Sequence, residues 1–247
     1  MTVAVVTGAA SGIGRALAIE AARRGMAVAM CDVDAAGLEA TRERIEGPVL
    51  MRAVDVRDPD AVRAFAAQVA ELGPVSRLFA NAGILRAGSV GEQPVDDWGL
   101  MIDVNLRGVI HCIQAFLPGL RAQTDPARIV ITGSQASLIA YPRLPIYSAT
   151  KHALWGLAEA LRDDLAASAP RIGISLLCPG AVASPMTGGS ADGEGARETY
   201  MAPADAARLA HDAVDAGRFW IFTHPQFREA FEARLARIAG EAWGTGS

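Results

Sequence analysis

Two side chains are spaced for joint chemistry. Tyr147 and Lys151 lie four residues apart in Tyr147-Ser148-Ala149-Thr150-Lys151, which puts both on one face of a helix. Of the 23 Lys and Arg residues, 22 are arginine, so Lys151 is the only lysine. A bias toward arginine explains the other positions and leaves this one unexplained. A phenol titrates near pH ~10, so acid/base work near neutrality needs a shift of about 3 pH units, or roughly 4 kcal/mol. An ammonium about 4 Å away supplies roughly that amount at an effective dielectric near 20. The pair predicts a tyrosine that moves a proton; the competing reading is a solvated pair on a helix surface.

A second cluster could hold an anion. Thr7-Gly8-Ala9-Ala10-Ser11-Gly12-Ile13-Gly14 follows an apolar run directly and opens a helical pattern. Glycines there let the backbone turn tightly and approach a pyrophosphate, and a helix N-terminus supplies free N–H groups and the positive end of its dipole. A purely structural turn has the same composition. Asp32 stands 18 residues past Gly14, where an acid accepts from both hydroxyls of an adenosine ribose and repels a 2′-phosphate. This predicts NAD(H) rather than NADP(H), with Asp34 competing as ribose ligand or helix cap.

These residues need a frame. Short Val- and Ala-rich runs near 2–7, 26–31, 49–54, 75–80, 127–133, 171–178 and 218–223 alternate with helical patterns near 13–24, 34–46, 58–72, 95–119, 145–168 and 202–216. A last amphipathic helix is expected near 225–240. The alternation predicts an α/β, doubly wound (Rossmann-type) sandwich: a seven-stranded parallel sheet flanked by helices on both faces, its ligands at the carboxyl ends of the strands. The 247 residues fit one domain over 1–247. Gly- and Ser-rich 187–200 is expected as either a surface connection or a lid.

Composition narrows the function classes. Net charge −4, with Arg interspersed among Asp and Glu, argues against a nucleic-acid groove. Cys31, Cys112 and Cys178 are odd in number and far apart, so buried free thiols are expected. The start MTVAVVTGAASG lacks a basic leader, and no stretch reads as about 20 consecutive apolar residues. A cytoplasmic location without membrane contact is the expectation. His111, His152 and His211 read as structural or solvated and offer no metal site, whereas His224 falls where it could border a pocket.

Taken in order, TGAASGIG at 7–14, Asp32, Asp55-Val56, Asn81-Ala82-Gly83, Asn105, Ser134, YSATK at 147–151 and Pro179-Gly180 resemble the single-domain branch of the short-chain dehydrogenase/reductase family over essentially the whole chain. The resemblance implies that Tyr147 moves a proton while hydride passes to or from nicotinamide C4. It also implies a serine 13 residues before that tyrosine, selecting Ser134 over Ser137. Ser134 would orient the substrate oxygen, Lys151 would hold the nicotinamide ribose and depress the Tyr147 pKa, and Asn105 would secure a water. Gly8, Ser11, Gly12, Ile13 and Gly14 would cradle the pyrophosphate. Asp55 and Val56 would contact adenine, Asn81 and Gly83 would back the cofactor, and Pro179, Gly180, Val182 and Ser184 would cover the nicotinamide. Structural readings stay open for Asn105 as a bridge and Asn81-Ala82-Gly83 as a tight turn.

The sequence departs from the family pattern twice. Ser184 replaces the usual threonine, and the common Val-Asp-Gly-Gly ending gives way to Phe219-Trp220-Ile221-Phe222, with Phe227, Phe231 and Leu235 at helical spacing. These apolar residues are expected to bury core or subunit surface. Pocket walls are expected from 86–90, Gln135 to Leu144 and 187–200, where Leu138, Tyr141 and Leu144 imply an apolar alcohol or ketone. Helices near 95–119 and 145–168 would join a homodimer or homotetramer. An NADP-linked ketone reductase and a non-catalytic NAD-binding module are the alternatives.

Overall fold

Val3, Ala4, Val5 and Val6 are all buried, which a strand achieves when helices cover both faces of its sheet. The computed structural model describes residues 1–190, 197 and 199–244. Its strands are β1 (Val3–Thr7), β2 (Ala27–Asp32), β3 (Val49–Ala53), β4 (Val75–Ala80), β5 (Ala127–Thr132), β6 (Ile172–Cys178) and β7 (Trp220–Phe222). They form one parallel sheet in the order β3-β2-β1-β4-β5-β6-β7. The order reverses between β1 and β4, and that switch point opens a crevice at the carboxyl ends.

The helices are α1 (Gly12–Arg23), α2 (Ala35–Arg42), α3 (Pro59–Ala70), α4 (Val95–Ile102), α5 (Gly108–Ala122), α6 (Pro145–Ser168), α7 (Pro203–Asp215) and α8 (Phe227–Trp243). Successive β1 side chains go to opposite faces. Val3 and Val5 join Phe65 of α3, Phe116 of α5 and Leu154 of α6. Ala4 and Val6 join Leu17 of α1, Leu38 of α2 and Ala210 of α7. Asp34 caps α2 by accepting from Gly37 N at 3.0 Å, and Asp58 caps α3 ahead of Pro59, both ordinary helix-start chemistry.

Three expectations need revision. The helix expected over 95–119 is interrupted by a π-helical turn at Asp103–Arg107 and runs on to Ala122. Val95–Ala122 is also 28 residues long with a mean hydropathy of 1.3, long and apolar enough by composition to cross a membrane. Short polar breaks hide this from a search for consecutive apolar residues. Its Cys112, Phe116 and Leu120 pack in the core, with Phe116 edge-on to Phe65 at 6.2 Å. At the other end of the chain, Phe227 is buried but Leu235 is exposed. Of the lid expected over 187–200, residues 191–196 and 198 lie outside the described residues. Its start closes a 3-10 turn, Pro185–Thr187, with Gly188 following at φ 90°.

Candidate active site

The turn after β1 is shaped by glycines that no other residue replaces without displacement. Gly8 and Gly12 have φ of 71° and 53°, the left-handed region that favours glycine. A Cβ on Gly14 would stand 1.9 Å from Gly8 O and 2.7 Å from Asn81 Nδ2. Thr7 Oγ1 accepts from the N–H groups of Asn81 and Ala82 at 3.0 Å each, and Asn81 Nδ2 donates to Thr7 O at 3.0 Å. These bonds tie the ends of β1 and β4 across the switch point. The Ser11 side chain makes no cap bond on α1, so the first amides of that helix are left to another acceptor.

Asp32 sits at the end of β2 with Oδ2 accepting from Ala10 N at 3.0 Å and Oδ1 from Asp34 N at 3.1 Å. It lines the crevice, whereas the Asp34 carboxylate is spent on its cap. The crevice has two lobes sharing Gly8, Asp32, Ala82 and Gly83. The larger, about 520 Å³, runs from Ser11, Gly12, Ile13 and Gly14 to Ser134, Tyr147 and Lys151. The smaller, about 230 Å³, is walled by Asp55, Val56 and Ile84. Arg57 donates to both Asp55 oxygens and holds that carboxyl below its usual range.

At the chemical end, α6 presents Tyr147 and Lys151 into the larger lobe. Lys151 is 4% exposed; its Nζ donates to Thr132 O at 2.8 Å and lies 5.7 Å from the centroid of the Tyr147 ring. Burial pushes the ammonium down to about 8. Burial also raises the Tyr147 phenol, opposed by its hydrogen bond with Ser134. The expected depression of Tyr147 by Lys151 is not among the causes of its shift, which are burial and, against it, the hydrogen bond with Ser134. Ser134 starts the 3-10 turn Gln135–Ser137 and lines the cavity, while Ser137 is buried and accepts from Ser134 N at 3.2 Å.

Asn105 lies in the π turn and is fully buried. Its Oδ1 accepts from Ile84 N at 2.8 Å, and Nδ2 donates to Ile84 O at 2.9 Å and Thr150 Oγ1 at 3.3 Å. Both amide hydrogens are committed, so the bridging reading describes its side chain. Pro179, Gly180, Val182 and Ser184 line the wall opposite; a Cβ on Gly12 would meet Ser184 Cβ at 2.9 Å.

Of the residues expected on the substrate side, Gln135, Tyr141 and Leu144 line the cavity, whereas Leu138 is fully buried and is not part of its lining. Leu138 follows the 3-10 turn and points into the core, beneath a carbonyl that Arg234 of α8 grips. Leu85, Pro185 and Met186 complete an apolar wall. His224 packs behind Gly180, and His211 is buried against Phe79.

A family model described as short chain dehydrogenase matches residues 2–195. The 1-deoxy-11-beta-hydroxypentalenate dehydrogenase of Streptomyces avermitilis is 35% identical over 249 residues, covering 97% of this chain and 89% of its own. The chain belongs to the short-chain dehydrogenase/reductase family. Among solved members, one from Burkholderia phymatum in complex with NAD has a TM-score of 0.92 at 32% identity, covering 100% of this chain and 97% of that one. An alcohol dehydrogenase from Thermococcus sibiricus complexed with 5-hydroxy-NADP has a TM-score of 0.78 at 29% identity, covering 87% and 91%.

Short-chain dehydrogenases are oxidoreductases that use nicotinamide cofactors, and the crevice of this one fits such a group. A Cβ at Gly8 would meet Ala82 Cα at 2.8 Å, so the turn keeps its close backbone packing only with glycine there, and Ser11 leaves the first α1 amides without a side-chain cap beside the cavity. Several supporting residues escaped the sequence reading. Thr7 Oγ1 and Thr132 O act through chain-distant partners and carry no local signal. Thr187, which binds Ser184 N at 2.9 Å, was legible as a capping box three residues after a serine.

Proposed function

We propose that this chain is an NAD(H)-dependent oxidoreductase interconverting an apolar secondary alcohol and a ketone. The observation that carries the reading is one cavity joining the glycine cradle to Tyr147, Ser134 and Lys151. Gly8, Ser11, Gly12, Ile13 and Gly14 would hold the pyrophosphate, Asp32 the adenosine ribose, and Asp55 and Val56 the adenine. Asn81 and Gly83 would back the cofactor, and Pro179, Gly180, Val182 and Ser184 the nicotinamide. Bound there, the nicotinamide supplies the acceptor or donor of hydride. The chain's residues handle the proton. In the oxidation direction the alcohol O–H proton passes to the Tyr147 oxygen as the carbinol carbon gives up hydride; reduction returns it. Ser134 donates to the substrate oxygen and stabilises its negative charge. Lys151 holds the nicotinamide ribose and keeps positive charge beside the phenol. Asn105 braces the π turn against Thr150, next to Lys151, and any water it secures hangs from main chain rather than from its amide.

NAD is favoured over NADP because the Asp32 carboxylate lines the crevice, while Arg57, one of two arginines lining the smaller lobe with Arg86, is engaged by Asp55. The NAD complex of the Burkholderia phymatum relative supports this, and the hydroxypentalenate dehydrogenase supports an alcohol as substrate. Assay of secondary alcohols with each cofactor, followed by nicotinamide absorbance, is the test. Faster turnover with NAD is expected; equal rates overturn the role of Asp32, and no turnover with either cofactor overturns the oxidoreductase reading.

A further inference from the structure

Gln135 follows Ser134 directly and lines the same cavity. Its N–H donates to Pro179 O at 2.9 Å and its carbonyl accepts from Leu138 and Ile139 at 3.0 Å each, so its backbone is fixed. Side-chain Oε1 accepts from the Tyr141 hydroxyl at 3.4 Å. That bond occupies the acceptor end of the amide and turns Nε2 over Gly180, where it lies 2.8 Å from the position a Cβ would take. The imidazole that shares this space is no partner: His224 Nδ1 accepts from Gly180 N at 3.2 Å and lies 2.6 Å from Thr223 Oγ1. Among the described residues no acceptor meets the two Nε2 hydrogens, and the atom is not sealed in the interior. An amide donor without a partner thus belongs to the lining of a cavity that also has Leu85, Ala136, Leu144 and Met186 in its walls.

An unpaired donor in apolar surroundings is unfavourable until a ligand satisfies it, and a site with such a donor discriminates against ligands that lack the acceptor. Ser134 and Gln135 are consecutive, with Cα atoms about 3.8 Å apart, so the two side chains address neighbouring parts of one small molecule. We infer that Gln135 is a specificity-determining residue whose Nε2 donates to a second oxygen, one or two carbons from the carbinol. The preferred substrates are then apolar alcohols bearing a vicinal or 1,3-related hydroxyl or ether oxygen, and the matching ketones. Tyr141 is a positioning residue that fixes which end of the amide faces the substrate. The inference rests on the oxidoreductase reading and narrows its substrate class.

Matched pairs test it: 2-octanol against 1,2-octanediol, and 1-phenylethanol against both 1-phenyl-1,2-ethanediol and its acceptor-only analogue 2-methoxy-1-phenylethanol. Each is assayed with NAD, and the ratio of kcat/KM within a pair is read for every protein, which cancels differences in folded fraction. The natural chain is expected to favour the diol and the methoxy alcohol by about 10-fold. Gln135→Leu brings that ratio to about 1, and Tyr141→Phe to an intermediate value, because the freed amide no longer keeps one orientation. Equal kcat/KM within each pair for the natural chain overturns the inference and leaves the oxidoreductase reading standing. A preference that persists in Gln135→Leu, or one that excludes the methoxy alcohol, overturns the donor role, as does a Gln135→Leu protein inactive on both partners. No turnover of any alcohol overturns the inference and the oxidoreductase reading together.

Discussion

Lys151 is buried and, among the described residues, donates to one carbonyl, Thr132 O, an arrangement that opposes folding while the amine carries charge. Its folded value, about 8, lies below the ordinary 10.5. Between those values the unfolded chain binds more protons, so stability rises with pH across the window and the penalty is fully present below it. Lys151→Met is therefore expected to be more stable than the natural chain at pH 7 by about 2 kcal/mol in urea unfolding, and inactive. The gap should close as the pH passes from about 8 to 10.5; a gap independent of pH contradicts the assignment. Tyr147 has the opposite sense, since burial keeps the phenol protonated. Alcohol oxidation needs the phenolate, so its kcat/KM is expected to go on climbing with pH past the ordinary phenol value of about 10. Ser134→Ala, which removes the bond that lowers Tyr147, should move the climb to higher pH as well as reduce the rate.

At the scale of elements, the β2–α2 junction separates two acids that the sequence leaves in competition. Asp34 accepts from Gly37 N, so Asp34→Ala is expected to lower stability by about 1 kcal/mol and leave the preference for NAD over NADP as it was. Asp32→Ala should reduce that preference about 10-fold or more, as measured by the ratio of kcat/KM with the two cofactors. The reverse pattern would hand the ribose to Asp34. Strand positions were legible because alternation and buried Val-Ala runs leave little freedom. The π turn was not: Asp103–Arg107 departs from α-helical pairing where Asn105 reaches Ile84, a contact made 21 residues away. Leu138 was misread for a related reason. Apolar character predicts burial, and only the 3-10 turn decides whether that burial is against substrate or core.

Across the whole molecule, the glycine turn, Asp32 and the Tyr147–Lys151 pair were readable because chemistry restricts residue type at fixed spacing. What holds them was less so. His211 stands on α7 among Asp and Arg residues, yet it is buried between Phe79 and Arg77, donates from Nε2 to Leu17 O and draws Asp215 into the same network through Arg77. Arg234 of α8 joins the turn after Gln135 to His152 of α6. Such partners are 82 to 194 residues apart, beyond any local pattern. If the crevice is the cofactor site, saturating NAD at about 100 times its Kd should stabilise the chain by about 2.7 kcal/mol. Gly14→Ala, whose Cβ would strike Gly8 O, should lose that gain. The most direct test of the account is Tyr147→Phe, assayed for both NAD binding and alcohol oxidation. The account predicts NAD affinity within about 3-fold of the natural chain and a loss of kcat of about 10³-fold or more; normal turnover by a phenylalanine protein that binds NAD would contradict it.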